Sequence, residues 1–237
     1  MKKKISTILV IIGVLCVVVP LTGQLYTQYR EDKMINDWLN SDDAQTAESE
    51  DQQGSSTENA VDSYNQLQDI FAAENTQGTT TQSNSAGTSV TSAKPVKTVQ
   101  QKVIGVIKIS KIKVKAPIVE GVKSANLRVG IGHIPGTAGL GQAGNCALAG
   151  HRSYTFGRFF NRLDELKIGD TISIITRDGE YKYTVYDKTV VLPSDVSVLK
   201  GSKDENVLTL ITCTPIYVAT HRLIVKARLE SGPQLQP

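Results

Sequence analysis

The stretch Thr209-Leu210-Ile211-Thr212-Cys213-Thr214-Pro215, followed after a short turn by His221-Arg222-Leu223-Ile224-Val225-Lys226-Ala227-Arg228-Leu229, decides the fold. In the second half Leu223, Val225, Ala227 and Leu229 alternate with Arg222, Ile224, Lys226 and Arg228. A period of two places the first set on an inward face and Arg222 on the opposite one. Residues 214–220 are few enough to join two neighbouring strands. Paired as a hairpin, those strands bring Cys213 and Arg222 together at one rim of a sheet.

Working outward, the same texture continues upstream. Val103-Ile104-Gly105-Val106-Ile107-Lys108-Ile109 is β-branched, and Ile112 to Val119 follows in the same style, with Pro117 suggesting an edge strand. Further strands are expected at 171–176, 180–191 and 206–213, separated by turn signals such as Asp178-Gly179 and Pro193-Ser194-Asp195. Ser124 to Val129 reads as one helical turn, and Phe159, Phe160, Leu163 and Leu166 recur at helical spacing. A Gly-rich loop, Gly136 to Gly144, leads into Cys146-Ala147-Leu148-Ala149. Many short strands with few helices predict a mainly β, closed or sandwiched fold of about 130 residues. No internal repeat is apparent.

Before residue 101 the chain changes character. Residues 31–93 hold 12 acidic side chains against one basic one, a balance of −11, whereas residues 101–230 hold 19 Lys and Arg against 11 Asp and Glu, a balance of +8. The overall charge of +3 conceals this asymmetry, which implies an acidic, solvated spacer (26–100) joined to a mildly basic body (101–230) and a polar tail (231–237). Residues 40–100 are rich in Ser, Thr, Gln, Asn, Gly and Asp and cannot bury enough apolar surface to offset chain entropy. Within them Val61, Tyr64, Leu67, Gln68 and Phe71 fall at helical spacing, so residues 59–73 are expected to form a short amphipathic helix. The reading preferred here is a transient helix in a linker; the alternative is a segment that docks over the body and covers a groove.

At the amino terminus Lys2, Lys3 and Lys4 precede an apolar run from Ile5 to about Leu25. A helix needs about 20 largely apolar residues to span a bilayer, so residues 5–25 are expected to be a retained single-pass anchor. The lysines of residues 1–4 would stay in the cytoplasm and the remainder would lie outside. The competing reading, a cleaved signal peptide, lacks a convincing small-x-small site at Leu21-Thr22-Gly23. The basic body carries no nucleic-acid recognition motif, so no nucleic-acid partner is expected.

Of the three cysteines, Cys16 lies in the anchor and reads as an apolar filler. Cys146 and Cys213 fall in the body, where an outward location permits a disulfide that would silence both thiols. A catalytic cysteine needs a thiolate, or an acid–base partner that makes one. The histidines are His133, His151 and His221, and His151 stands where a buried strand emerges. Taken singly, a strand-end histidine is usually structural, an exposed-face arginine solvated, and a buried cysteine a small hydrophobe. Their combination points elsewhere.

Leu148-Ala149-Gly150-His151-Arg152, Thr209-Leu210-Ile211-Thr212-Cys213-Thr214-Pro215 and His221-Arg222-Leu223 together resemble the sortase family of cysteine transpeptidases. The resemblance covers most of residues 103–229, including His133-Ile134-Pro135-Gly136-Thr137-Ala138 and Leu166-Lys167-Ile168-Gly169-Asp170. It implies an eight-stranded β-barrel with Cys213 as nucleophile. His151 would protonate the leaving amine, and Arg222 would hold the substrate backbone or the oxyanion. Thr212 would contribute a substrate hydrogen bond. It further implies cleavage of an LPxTG-like sorting signal on a secreted protein between Thr and Gly. The thioacyl enzyme would then be resolved by a peptidoglycan precursor amine or a pilin, without cofactor or metal.

Pilus-assembling members commonly carry an amino-terminal lid with an Asp-Pro-aromatic anchor, whereas Asp37-Trp38 lacks the proline. The chain therefore resembles class D more than class C, although its Thr-Cys-Thr-Pro and Thr-His-Arg elements also occur in class C. His133 and His221 are not expected to be catalytic; His221 could shape the groove. Two other readings stand beside this one. Cys146, His151, Cys213 and His221 could bind zinc, although their spacings do not match the tight ligand pairs usual for that metal. A hydrolytic cysteine peptidase would share the nucleophile and use water in place of an amine.

Overall fold

The computed structural model describes residue 29 and residues 32–41, 57–77, 101–152, 159–216 and 218–233. The expected anchor, residues 5–25, and most of the acidic linker lie outside the described residues. The chain divides into two units, Met1–Gln45 and Thr46–Pro237. In the first, residues 32–40 are helical and the Ser41 hydroxyl donates to the Trp38 carbonyl at 3.1 Å. Among the described residues no helix is long and apolar enough to cross a membrane.

The second unit opens with helix α1 (Thr57–Gln77) and continues into eight strands. These are β1 (Val103–Ile109), β2 (Val114–Glu120), β3 (Ile131–His133), β4 (Gly144–Ala149), β5 (Thr171–Ile175), β6 (Glu180–Val191), β7 (Asn206–Thr214) and β8 (His221–Ser231). They close into a barrel in the order β1-β2-β3-β4-β7-β8-β6-β5. Pairings β2–β3 and β4–β7 are parallel, and the others are antiparallel. The expected eight-stranded mainly β architecture is therefore present, and closure leaves no sheet edge open.

Pro117 does not mark an edge: β2 lies between β1 and β3. Its parallel ladder with β3 begins at Ile118, one residue later, so the missing N–H of the proline falls where that ladder has not started. The helical turn at Ser124 is the short helix α2 (Ser124–Leu127). The periodic set Phe159, Phe160, Leu163 and Leu166 forms only a 3₁₀ turn over Leu163–Glu165, yet all four side chains are buried in the barrel interior. Their spacing reflected a shared core rather than a helix.

Strand alternation sorts the core into two layers. Leu223, Val225, Ala227, Leu208, Leu210, Cys146 and Leu148 point into the barrel, with Leu229 partly buried against them. Ile224, Ile211, Ala147 and Ala149 face outward and are covered instead by Ala60, Tyr64, Leu67 and Phe71 of α1. The helix expected over residues 59–73 is longer than that, and it is not a transient linker helix: it docks on the barrel. Alone it has nothing on which to bury its stripe, whereas the barrel wall supplies an apolar seat, each large side chain then contributing about 1.5–3 kcal/mol. Gly136, with φ +84, is part of that seat, because a Cβ there would come within 2.5 Å of the Ala60 backbone nitrogen.

Candidate active site

Cys213 and Arg222 are cross-strand partners in the β7–β8 ladder. On the other side of β7, the parallel ladder with β4 pairs Ala149 with Ile211, and the Gly150 N–H donates to the Ile211 carbonyl at 3.1 Å. Carrying that register two residues further sets His151 level with Cys213. The three residues thus form a row across β4, β7 and β8, at the rim where β4 ends. Gly150 permits this exit, since a Cβ there would lie 2.6 Å from Ile131 and 2.9 Å from Phe160.

The row is roofed by α1. The Phe71 ring meets His151 edge to face, with centroids 5.5 Å apart and an interplanar angle of 61°. The Arg222 guanidinium stands 5.2 Å from the centroid of the same ring, a cation–π contact. Its Nε donates to Gln68 Oε1 at 2.5 Å, and its Nη1 donates to the carbonyls of Ala219 (2.8 Å) and His221 (2.9 Å). Arg222 is consequently buried to 3 % exposure, although it lies on the outer face of its strand. Tyr64, one helical turn before Gln68, is fully buried. Burial drives its phenol up to about 12, the nearby Arg222 charge opposing that and Asp195 and Cys213 adding to it, so the hydroxyl stays neutral under the roof.

The other residues singled out in the sequence sort clearly. Thr212 faces the opposite way from Cys213, is fully buried, and donates its hydroxyl to the Gly150 carbonyl at 2.7 Å. That bond ties β7 to the residue preceding His151, and it leaves the hydroxyl no path to a substrate in this arrangement. Cys146 points into the barrel while Cys213 belongs to the outer layer, so among the described residues no disulfide joins them. The same separation breaks up the candidate zinc set, and no group of three possible ligands occurs among the described residues. His221 keeps to a local contact with the Thr220 hydroxyl at 2.9 Å.

His133 is buried away from this row. Its Nδ1 faces the Glu120 carboxylate at 3.0 Å and its Nε2 faces the Ala138 carbonyl at 2.9 Å. Burial disfavours the charged ring, but its hydrogen bonds to Cys146 and Glu120 and the negative charge of those groups together raise its pKa well above the ordinary histidine value. With an oxygen at each nitrogen, the ring pins the start of the Gly-rich loop.

Sequence reasoning missed four contributors. Gln68 and Phe71 were visible as helical spacing without a partner. Asn145 bridges β4 to the segment after β6: its Nδ2 donates to Val198 O at 2.9 Å and Lys200 O at 3.2 Å, and its Oδ1 accepts from Thr209 Oγ1 at 2.6 Å. Arg152, next to His151, is in sequence one more cation of a basic body; its adjacency to a candidate acid is the available signal.

A closed β-barrel that sets a cysteine and an arginine opposite each other on adjacent strands, with a histidine just past the end of the next strand, defines a protein built around a thiol site at a barrel rim. The Sortase domain family model matches residues 107–230, and the chain belongs to the sortase family. It is 32% identical to Sortase D of Bacillus subtilis (strain 168) over 111 residues, 47% of this chain and 54% of that protein. Among solved structures it is similar to Sortase A from Corynebacterium diphtheriae, with 33% identity and a TM-score of 0.54 over 59% of this chain and 66% of that one. It is also similar to a Clostridium perfringens Sortase D5 transpeptidase, with 29% identity and a TM-score of 0.51 over 72% of this chain and 97% of that one. The chain spans about half the length of the curated relatives it matches.

Proposed function

We propose that the protein is an extracytoplasmic cysteine transpeptidase. In this reading it cleaves an LPxTG-like sorting signal between Thr and Gly and transfers the secreted protein to a cell-wall amine. The observation that carries this is the cross-strand pair Cys213–Arg222, with His151 two residues past the last β4–β7 pair. The Cys213 thiolate attacks the Thr carbonyl carbon, and Arg222, an always-charged fork, stabilises the oxyanion that forms. As the C–N bond to Gly breaks, His151 gives its proton to the leaving amine. The thioester is then attacked by the acceptor amine, whose proton passes to His151, and the Cys213 thiolate departs.

Helix α1 acts as a lid in this scheme. Gln68 and Phe71 occupy the side chains that the substrate needs, so the signal binds only when α1 moves. The apolar run 5–25 after three lysines supports membrane anchorage with the barrel outside the cell. Similarity to a Sortase D and to a Sortase D5 transpeptidase supports a class D, surface-protein-anchoring role. A pilin-polymerising role is the second reading, favoured by the docked amino-terminal helix.

The test presents LPxTG-type peptides to the full chain in detergent, with a peptidoglycan-like amine, a pilin-derived lysine peptide, or neither. Product with the first amine supports the anchoring role, and product with the lysine peptide alone supports pilin assembly. Cleavage that survives Cys213→Ala removes the nucleophile assignment. Turnover that is as fast without any amine makes the protein a peptidase.

A further inference from the structure

The β4–β7 ladder ends just before the reacting residues. Its last backbone link is the bond from the Gly150 N–H to Ile211, and the Thr212 hydroxyl adds a tie to Gly150. Neither link reaches His151 or Cys213, and His151 and Arg152 lie in no regular element. The His151 carbonyl accepts from the Phe160 N–H at 3.2 Å, and the side chain of Arg152, only 7 % exposed, spans from there to β7. Its Nη1 donates to the Thr214 hydroxyl at 2.9 Å and to the Cys213 carbonyl at 3.4 Å. Its Nη2 pairs with Asp164 Oδ1 at 2.8 Å, and its Nε reaches the Asn161 carbonyl at 3.5 Å. One planar group therefore joins the residue after His151, the backbone of Cys213, and the segment 161–164.

We infer that Arg152 is a positioning residue of the transfer reaction, clamping His151 level with Cys213 by holding the Cys213 carbonyl and the Thr214 hydroxyl from the position next to the histidine. It does not touch substrate, and its charge is already met by Asp164. The geometry requires a fork: a lysine in the same place is a point charge and cannot hold both bonds to β7 together with the Asp164 pair. The inference rests on Cys213 and His151 being the reacting pair.

The experiment compares Arg152→Met, Arg152→Lys and Thr214→Val in the full chain, each in a Phe71→Ala background so that movement of α1 does not limit the rate. Active sites are titrated with a thiol reagent, so that misfolded material is not counted. The expected result is a kcat per titrated site lowered by about 10- to 100-fold for Arg152→Met, the scale of small misplacements in a site. KM should stay within about threefold, because no substrate contact is lost. Arg152→Lys should recover thermal stability without recovering kcat. The pH midpoint of Cys213 alkylation should shift in the same direction in both Arg152→Met and Thr214→Val, as the thiol loses its fixed relation to the imidazole.

An unchanged kcat per titrated site, or a change in KM alone, overturns the inference. So does an alkylation midpoint restored in Arg152→Lys and unmoved in Thr214→Val, which would make the effect one of charge. If the parent cleaves no sorting peptide, the proposed function fails, and the alkylation midpoints still decide the clamp.

Discussion

The Phe71 ring and the imidazole of His151 meet edge to face, centroids 5.5 Å apart, and the same phenyl ring carries the guanidinium of Arg222 at 5.2 Å. One aromatic side chain thus occupies both the candidate acid and the candidate oxyanion fork. Phe71→Ala is expected to raise the rate of Cys213 alkylation by at least about tenfold, since truncating a packed Phe costs about 3–5 kcal/mol and that cost falls on the closed state. Stopped alkylation with mass detection reads the rate; an unchanged rate would mean that α1 does not gate the thiol.

Gln68 offers a signed test of the same closure. Its Oε1 accepts the Arg222 Nε–H, and a hydrogen bond to a charged group contributes about 1.5–3 kcal/mol. Gln68→Ala should therefore speed alkylation by roughly tenfold or more. Gln68→Glu should slow it, because a carboxylate pairs more strongly with the guanidinium. If both variants shift the rate in one direction, the contact is not the latch.

Asn145 is 4 % exposed and holds three hydrogen bonds that link β4, β7 and the segment at Val198–Lys200 on which α1 rests. Asn145→Ala leaves two carbonyls and the Thr209 hydroxyl without their partner. A loss of about 2–4 kcal/mol in urea-unfolding stability is expected, with Thr209→Val losing less because only one bond is removed.

His133 predicts how stability varies with pH. Its folded pKa is raised well above the ordinary value of about 6.5, so in the interval between the two values the folded chain binds a proton that the unfolded chain has released. The stabilisation is complete below the unfolded value and is lost as pH rises through the folded one. Unfolding free energy should therefore decline on the alkaline side of neutrality, and His133→Gln should flatten that decline. Denaturant melts at a series of pH values measure the slope; a slope unaltered by the substitution would assign it to another group.

Much of the site was legible because strands encode direction. Alternation in 221–229 put Arg222 opposite Leu223, and a short connection placed it beside Cys213; the ladder pairs these two residues. The partnership of His151 was different. It depends on a parallel pairing between β4 and β7, strands that begin about 60 residues apart, and only the recurring Gly-His and Thr-Leu-x-Thr-Cys motifs pointed to it.

By itself the sequence determined the strand faces at the barrel rim and the chemical identities there, since side-chain alternation is a local property of extended backbone. The tertiary structure alone decided what covers that rim. The acidic composition of residues 31–93 argued for a solvated linker, and for an isolated chain that argument is sound. The helix at 57–77 docks because Ile134, Ala147, Ala149, Ile211 and Ile224 come from four separate segments and form an apolar seat only when the barrel closes. Likewise Arg152 reads as one more cation in a basic body until folding brings Asp164, Thr214 and the Cys213 carbonyl around it. Composition reports what a segment can bury; only the assembled barrel supplies the surface against which it is buried.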